Sequence, residues 1–388
     1  LLAFTTPDFS YKGKVIYAAF IYTVLLLVYA ASNLPYSALS GVLTGDMAER
    51  NSLSSYRFVA VMFAQFFVQV FMLPIILYVG KGDKAAGIES VMTWMAIIGT
   101  ILLLLTFLST RERIIPKPEQ KSSLKEDLGD LFKNRPWIIM LTLTILIFVT
   151  LAMKGGSYVY YFNNYVDEAS LREFIQPILN FLSKIGLNFF ESDLASAGFG
   201  LFNAGGIIFS MIGIAVSSKL ADKYGKRDVF GAALLIATLF IIVFIVFKPT
   251  DVRLMFATQI LHMFFYGITT PILWAMIADV ADYSEWKNNR RATAIIFSAM
   301  MVGLKAGLAI GGAIVTGVLG FYGYISKDAL NAGQVIVQPE SVAQGAKMLV
   351  SIYPAIPFLI GIVLLFFYEI NKKKEVQIQH ELELRRKN

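Results

Sequence analysis

Long apolar blocks alternate with short polar connectors along the whole chain, and this alternation predicts its architecture. The blocks fall at about residues 15–44, 56–80, 87–109, 136–162, 194–218, 229–248, 254–280, 292–322 and 347–370. A helix of roughly 20 apolar residues crosses the ~30 Å hydrocarbon core of a bilayer, and these blocks reach that length. Runs of this kind are poor candidates for the buried core of a soluble domain. The pattern predicts an all-α polytopic membrane protein with nine spanning helices.

Two polar stretches depart from the simple connector. Within 163–193, the run DEASLREFIQPILNFLSKIGLNFFESD carries five acids and two bases with apolar residues at helical spacing, which predicts an amphipathic helix at the outer interface. It would act either as a lid over the outer vestibule or as a plain shield for a helix end. The closing run KKKEVQIQHELELRRKN predicts a charged, solvated cytoplasmic tail over 371–388 that can form a helix.

Composition narrows the chemistry. The 388 residues are 56% hydrophobic and 16% charged, where a soluble domain carries about 25% charged residues. Lacking cysteine, the chain cannot form disulfides or thiolate metal sites, and its two histidines, His262 and His380, give little to a zinc site. No cofactor or metal is expected. The net charge of +7 does not point to nucleic acid, because the basic residues sort by loop. With the 110–135 loop in the cytoplasm, that side holds 22 of the 34 Lys and Arg, the other side holds 10, and Lys154 and Lys305 lie inside spans. This positive-inside bias predicts a cytoplasmic C-terminus.

The 110–135 loop also divides the chain. It separates a 1–109 bundle of three spans from a 136–370 bundle of six, and transporters of this architecture pair two six-helix halves. The arrangement implies three further spans before Leu1; the alternative is a true nine-span protein.

Three motifs carry chemistry. The first, Lys219-Leu220-Ala221-Asp222-Lys223-Tyr224-Gly225-Lys226-Arg227, joins the fifth and sixth blocks: Gly225 permits a tight reversal, Asp222 can cap the next turn or pair with a cation, and the bases hold the loop at the cytoplasmic side. The second is Ala278-Asp279-Val280-Ala281-Asp282-Tyr283-Ser284-Glu285-Trp286-Lys287, followed by Arg290 and Arg291. Asp279, Asp282 and Glu285 recur every three residues, so they share one helix face and suit an ionic gate. The third runs from Ser32-Asn33-Leu34-Pro35-Tyr36-Ser37 through Thr44, Asp46, Glu49 and Arg50 to Tyr56-Arg57-Phe58.

The loop motif resembles the signature D-(R/K)-x-G-(R/K)-(R/K) of the major facilitator superfamily, which follows its second and eighth helices. The acidic stretch, with upstream Trp274 and downstream Lys305-Ala306-Gly307, is similar to the pattern of the glycoside-pentoside-hexuronide:cation symporter family, the melibiose permease family. The third motif resembles that family's fourth helix and the start of its fifth. The resemblance implies two major facilitator-type bundles, with 1–109 as family helices 4–6. It implies sugar contacts at Asn33, Arg57, Tyr29, Ser37 and Thr270, and Lys305 in a shared sugar and cation region. It further implies an inner gate built from Asp279, Asp282, Glu285, Arg291, Asp222 and Arg50. The sequence departs from melibiose permease, which has an aspartate at the position of Asn33 and tryptophans at or near those of Ser37 and Thr270, so a smaller or different glycoside or pentoside is expected.

Each residue also has a plainer reading. Lys305 at mid-span is costly to bury and hence functional by default, as a coupling or intramembrane charge, whereas Lys154, before Gly155-Gly156, either shares that role or snorkels to the interface. Arg57 at a helix start could be a topological anchor, and Asn33 with Pro35 a satisfied kink. Tyr158, Tyr160, Tyr161 and Trp274 read as belt or packing aromatics, and His262 as a satisfied helix-interface residue.

The function expected is secondary active symport of a sugar with H⁺ or Na⁺, in a bacterial inner membrane, with lipid, sugar and a monovalent cation as partners. The alternatives are transport of a lipid-like amphipathic substrate on the same fold, a non-transporting membrane sensor, and a membrane-embedded enzyme. Against an enzyme, no His/Asp/Ser or metal constellation lies in the spans; no Walker loop suggests ATP-driven transport.

Overall fold

The structure, a computed structural model, describes residues 2–5, 7–42, 47–81, 83–111, 129, 133–187, 193–288, 293–326 and 337–387. Among them, nine helices are long and apolar enough to cross a membrane, at or near the nine expected blocks, and no strand occurs. The chain forms two compact units, Leu1–Lys121 with Leu179–Gly200, and Ser122–Ile178 with Leu201–Asn388.

The first unit holds α1 (Tyr11–Val42), α2 (Met47–Val79) and α3 (Lys84–Ser109). Helix α2 starts nine residues before the expected span at 56, so part of the 45–57 connector is helical. Its turn into α3 is held by two backbone bonds, Gly80 N to Ile76 O at 2.9 Å and Asp83 N to Gly80 O at 2.8 Å. Asp83 then caps α3 by accepting from Ala85 N at 2.9 Å, which satisfies a donor the helix leaves unpaired.

The second unit begins with α4 (Arg135–Asn164) and the first part of the amphipathic α5 (Glu168–Lys184), whose residues from Leu179 on fall in the first unit. It continues with α6 (Leu194–Tyr224) from Leu201 on, and with α7 (Lys226–Val243), α8 (Val252–Asn288) and α9 (Thr293–Phe321). The last span is made of α10 (Glu340–Val350) and α11 (Ile352–Phe366), and the chain ends in α12 (Lys372–Lys387). Helix α4 is the hub, packed against α9, α10 and α11, while α7 packs on α8. The apolar effect that drives soluble folding is weak between helices that are already in lipid, so close van der Waals contact has to hold the bundle. Glycine supplies it. A Cβ at Gly307 would stand 2.5 Å from Ile145 O, and one at Gly311 2.5 Å from Val149 O. These glycines let α9 lie against the α4 backbone.

Helix α5 has the amphipathic form expected for it. Leu171 and Ile175 are buried, the Phe174 ring sits edge-on to Phe256 at 4.9 Å, and Phe181 and Ile185 are exposed. Asp167 begins this helix by accepting from Ser170 N at 2.8 Å, and that bond holds its carboxyl below the usual aspartate range.

Candidate functional site

The sequence places most of its intramembrane polar residues on α4 and α8, and the second unit brings several of them together in its interior. Lys154 and Tyr158 are one turn apart on α4; Gln259 and His262 are nearly so on α8. The Tyr158 hydroxyl donates to Gln259 Oε1 at 3.0 Å and so ties the two helices together. The Lys154 ammonium lies 5.5 Å from the centre of the Tyr158 ring. Nearly one turn further along α8, His262 Nδ1 is 2.9 Å from Ala237 O of α7, and the Tyr266 ring stacks on the imidazole at 6.1 Å.

Of the two readings of Lys154, the structure does not show the snorkelling one. The residue is 7% exposed and points inward, because it falls on the face of α4 that also buries Thr150, Ser157 and Tyr158. Tyr158 and Tyr161 are packing residues, their rings set among Phe202 and Phe244. His262 is satisfied at Nδ1, as expected of an interface histidine.

A second polar cluster forms where the ends of α6, α8 and α11 meet the starts of α7 and α12. Gly225 reverses the chain between α6 and α7 at φ +94°, a conformation that favours glycine. Asp222 does not cap that turn: Gly225 is the N-cap and receives no side-chain bond. The turn delivers Lys226, whose Nζ donates to both Asp279 oxygens at 2.6 and 2.9 Å and pairs with Glu375 of α12 at 2.9 Å. Asp279 is therefore held by the loop motif of its own unit. Asp282 and Glu285 are half-buried on the same helix.

The tail takes the helical form open to it but is not solvated along its whole length. It folds as α12 and buries Ile378 and Leu382 in the main core of the unit. Burying two such side chains from water contributes about 1.5–3 kcal/mol each before ordering costs. Lys372 Nζ donates to the backbone oxygens of Asp222 at 2.7 Å and Lys223 at 2.9 Å. Tyr368, at the start of this segment, donates to Met276 O at 3.3 Å, and burial raises its phenol well above the ordinary tyrosine range. The signal for docking was legible in the sequence: Ile378 and Leu382 are four residues apart among charges.

The remaining sequence candidates are placed as follows. Asn33 Nδ2 donates to the Tyr29 hydroxyl at 3.3 Å, one turn earlier on α1. Thr270 is half-buried on α8, one turn beyond Tyr266. Lys305 is exposed, on the face of α9 opposite Gly303, Gly307 and Gly311. Arg50 and Arg57 lie on α2, but their side chains and that of Ser37 are outside the described residues, as is Arg291 altogether.

A polytopic bundle whose interior carries amides, hydroxyls and bases has the build of an integral membrane transporter. The comparison with known proteins places it more closely. The family described as MFS/sugar transport protein matches residues 1–372. The inner membrane symporter YicJ of Escherichia coli (strain K12) is 30% identical over 369 residues, which is 94% of this chain and 72% of that protein. The isoprimeverose transporter of Lactiplantibacillus pentosus is 25% identical over 376 residues, 96% of this chain and 71% of that protein. The glucuronide carrier protein homolog of Escherichia coli (strain K12) is 24% identical over 398 residues, 100% of this chain and 77% of that protein. The chain belongs to the MFS/sugar transport family, and within it to the glycoside-pentoside-hexuronide symporter group.

Proposed function

We propose that this chain moves a sugar, a glycoside, pentoside or hexuronide, across a bacterial inner membrane together with H⁺ or Na⁺, by alternating access of two helical bundles. The observation that carries the reading is the match to a sugar transport family along residues 1–372, supported by relatives that are named as a symporter, a transporter and a carrier. The reaction is vectorial, and no bond is made or broken.

In this reading Asn33, Tyr29, Ser37, Arg57 and Thr270 contact sugar hydroxyls and Lys305 serves the sugar and cation region. The ion-pair end of the second unit faces the cytoplasm with the C-terminus. There Asp279, Asp282 and Glu285 meet Arg291, Arg50 and the Asp222 loop in a gate that opens when those pairs exchange partners. The Lys226–Asp279 pair supports the reading, since it holds one carboxylate of the acidic stripe in a short ionic contact.

The test is reconstitution of the protein, expressed from its complete reading frame, in vesicles free of other carriers. Labelled isoprimeverose, methyl xylosides and glucuronides are offered under H⁺, Na⁺ or no gradient, with a lysolipid as control. Accumulation of one sugar under one ion gradient is expected. Movement of the lysolipid alone, or of nothing, would sink the proposal.

A further inference from the structure

The roles just given leave one end of the second unit unused, and a cavity of about 420 Å³ opens there between the first turns of α5 and the start of α8. Cavities of this size hold small molecules. Helix α8 begins at Val252, so at about 1.5 Å of rise per residue the cavity lies about 40 Å along the helix from Asp279. With the Asp279 cluster in the cytoplasm, as proposed above, the cavity opens on the outer side.

Its two walls are tied together. Asp167 N donates to Pro249 O at 3.0 Å and joins the entry of α5 to the turn before α8, and Lys248 N donates to Asp251 Oδ2 at 2.8 Å within that turn. Ser170, Glu173 and Phe174 line the cavity from α5, and Thr250, Asp251 and Arg253 line it from the other wall. The Phe174 ring is propped edge-on against Phe256 at 4.9 Å. Glu173 and Arg253 meet across the cavity, where the guanidinium donates to Glu173 Oε1 at 3.4 Å and the side chains are 77% and 76% exposed. An ion pair so open to water contributes about 0–1 kcal/mol, so a ligand can separate it at little cost.

The chemistry of the lining selects the ligand. A carboxylate accepts two hydrogen bonds side by side and a guanidinium donates two, so the pair suits adjacent hydroxyls, and the hydroxyls of Ser170 and Thr250 can do either. An anion would meet two carboxylates, Glu173 and Asp251, against one guanidinium, and a cation would have to compete with Arg253. A neutral polyol engages both signs without repulsion. Phe174 adds an aromatic ring for the C–H face of such a molecule.

We propose that this cavity is a further sugar site, which holds a neutral glycoside or pentoside at the outer mouth before it enters the bundle. The inference rests on the symport reading above and adds to it the place where the substrate is first recognised. A sugar held there enters more often than one free in solution, so the site acts on transport at low sugar concentration.

Two measurements test it. None of the 388 residues is cysteine, so a trifluoromethyl tag on Leu254→Cys, another residue of the lining, attaches at one place in this chain. Methyl β-xyloside should shift its fluorine signal saturably. Glu173→Gln and Arg253→Ala should each raise the half-saturating concentration at least about fivefold, whereas Arg172→Ala, whose side chain pairs with Glu168 instead, should leave it unchanged. A methyl glucuronide should bind more weakly than the xyloside, and inorganic phosphate should give no saturable shift. No saturable shift with the xyloside, a shift that survives both variants, or tighter binding of the glucuronide would overturn the proposal. In vesicles taking up sugar from the outer side, Arg253→Ala should raise KM at least about twofold and by more than it lowers kcat. An unchanged KM would overturn the capture role while leaving symport standing. If the wild type moves no sugar under any gradient, the symport reading fails, and the fluorine titration still decides whether the cavity binds sugar.

Discussion

The indole Nε1 of Trp286 donates a 2.6 Å hydrogen bond to Oε2 of Glu381, and this bond joins the acidic end of α8 to the tail helix α12. Arg385 returns the contact by donating to Trp286 O at 3.0 Å, and Gln377 donates to the other Glu381 oxygen at 2.9 Å. The tail is thus fastened to the same helix end that carries Asp279, Asp282 and Glu285.

The first prediction concerns that fastening. The bond from Trp286, then that from Gln377, holds the Glu381 carboxyl below the usual glutamate range. A carboxyl with a lowered value in the docked state strengthens docking above its ordinary value, and the gain is lost as pH falls through the lowered value. The Trp286 indole N–H resonance should therefore move toward its solvent position on acidification. At neutral pH, Glu381→Ala should make the basic tail several-fold more sensitive to trypsin, whereas Glu381→Gln, which keeps an acceptor oxygen, should fall between it and the wild type. Equal cleavage of all three would show that Ile378 and Leu382 alone hold the tail.

The pairing of Lys226 with Asp279 and Glu375 leads to the second. Removing the cation leaves two carboxylates near each other, so Lys226→Met should lower the apparent unfolding midpoint in detergent by an amount equivalent to about 2 kcal/mol, and less in high salt. The loss in Lys226→Met with Asp279→Asn should be smaller than the sum of the single losses, because the two changes remove one shared interaction. Strict additivity would mean that the short contact contributes nothing net.

These clusters show where sequence reasoning reached and where it stopped. Block length and polarity alone located the spans, since a helix in lipid must be long and apolar whatever its neighbours. Lys154 stood between two readings because position along a span says how deep a residue lies and not which way it faces; the packing of α4 on α9, α10 and α11 decided that. Lys226 looked like a topological anchor in the loop motif, and only the turn at Gly225 shows that it reaches Asp279. The Tyr158–Gln259 bond joins residues 101 positions apart, and no local pattern announces it. The tail could have been read better, since Ile378 and Leu382 mark one apolar stripe on an otherwise charged helix.

Third, the glycine face of α9 should be intolerant of even one methyl group. Gly307→Ala sets a Cβ against Ile145 O, so the helices must separate or bend, at a cost of about 1–3 kcal/mol. At Gly312, five residues further on, a Cβ meets nothing within 4 Å, and Ala there should be neutral or slightly stabilising because it favours helix. The comparison of unfolding midpoints separates helix contact from helix propensity. Equal effects at the two positions would deny the close approach of α4 and α9.

The last prediction follows from the two faces of α9. Its glycines hold one side against α4, and this fixes Lys305 on the opposite, exposed side. A cation there meets either lipid, where it costs at least about 2.5–3.5 kcal/mol, or an aqueous cavity, where it is hydrated and can meet a sugar. The proposed function requires the cavity. None of the 388 residues is cysteine, so a cysteine placed in this chain reports its own site. A thiol reacts as the thiolate, which forms in water and not in hydrocarbon. Lys305→Cys should therefore react with a charged, membrane-impermeant maleimide, and a transported sugar should slow the reaction. Lys154→Cys, buried on α4, should react far more slowly under the same conditions. A Lys305→Cys that ignores the charged reagent but takes up an apolar one would place this face against lipid, and would remove Lys305 from the sugar and cation region.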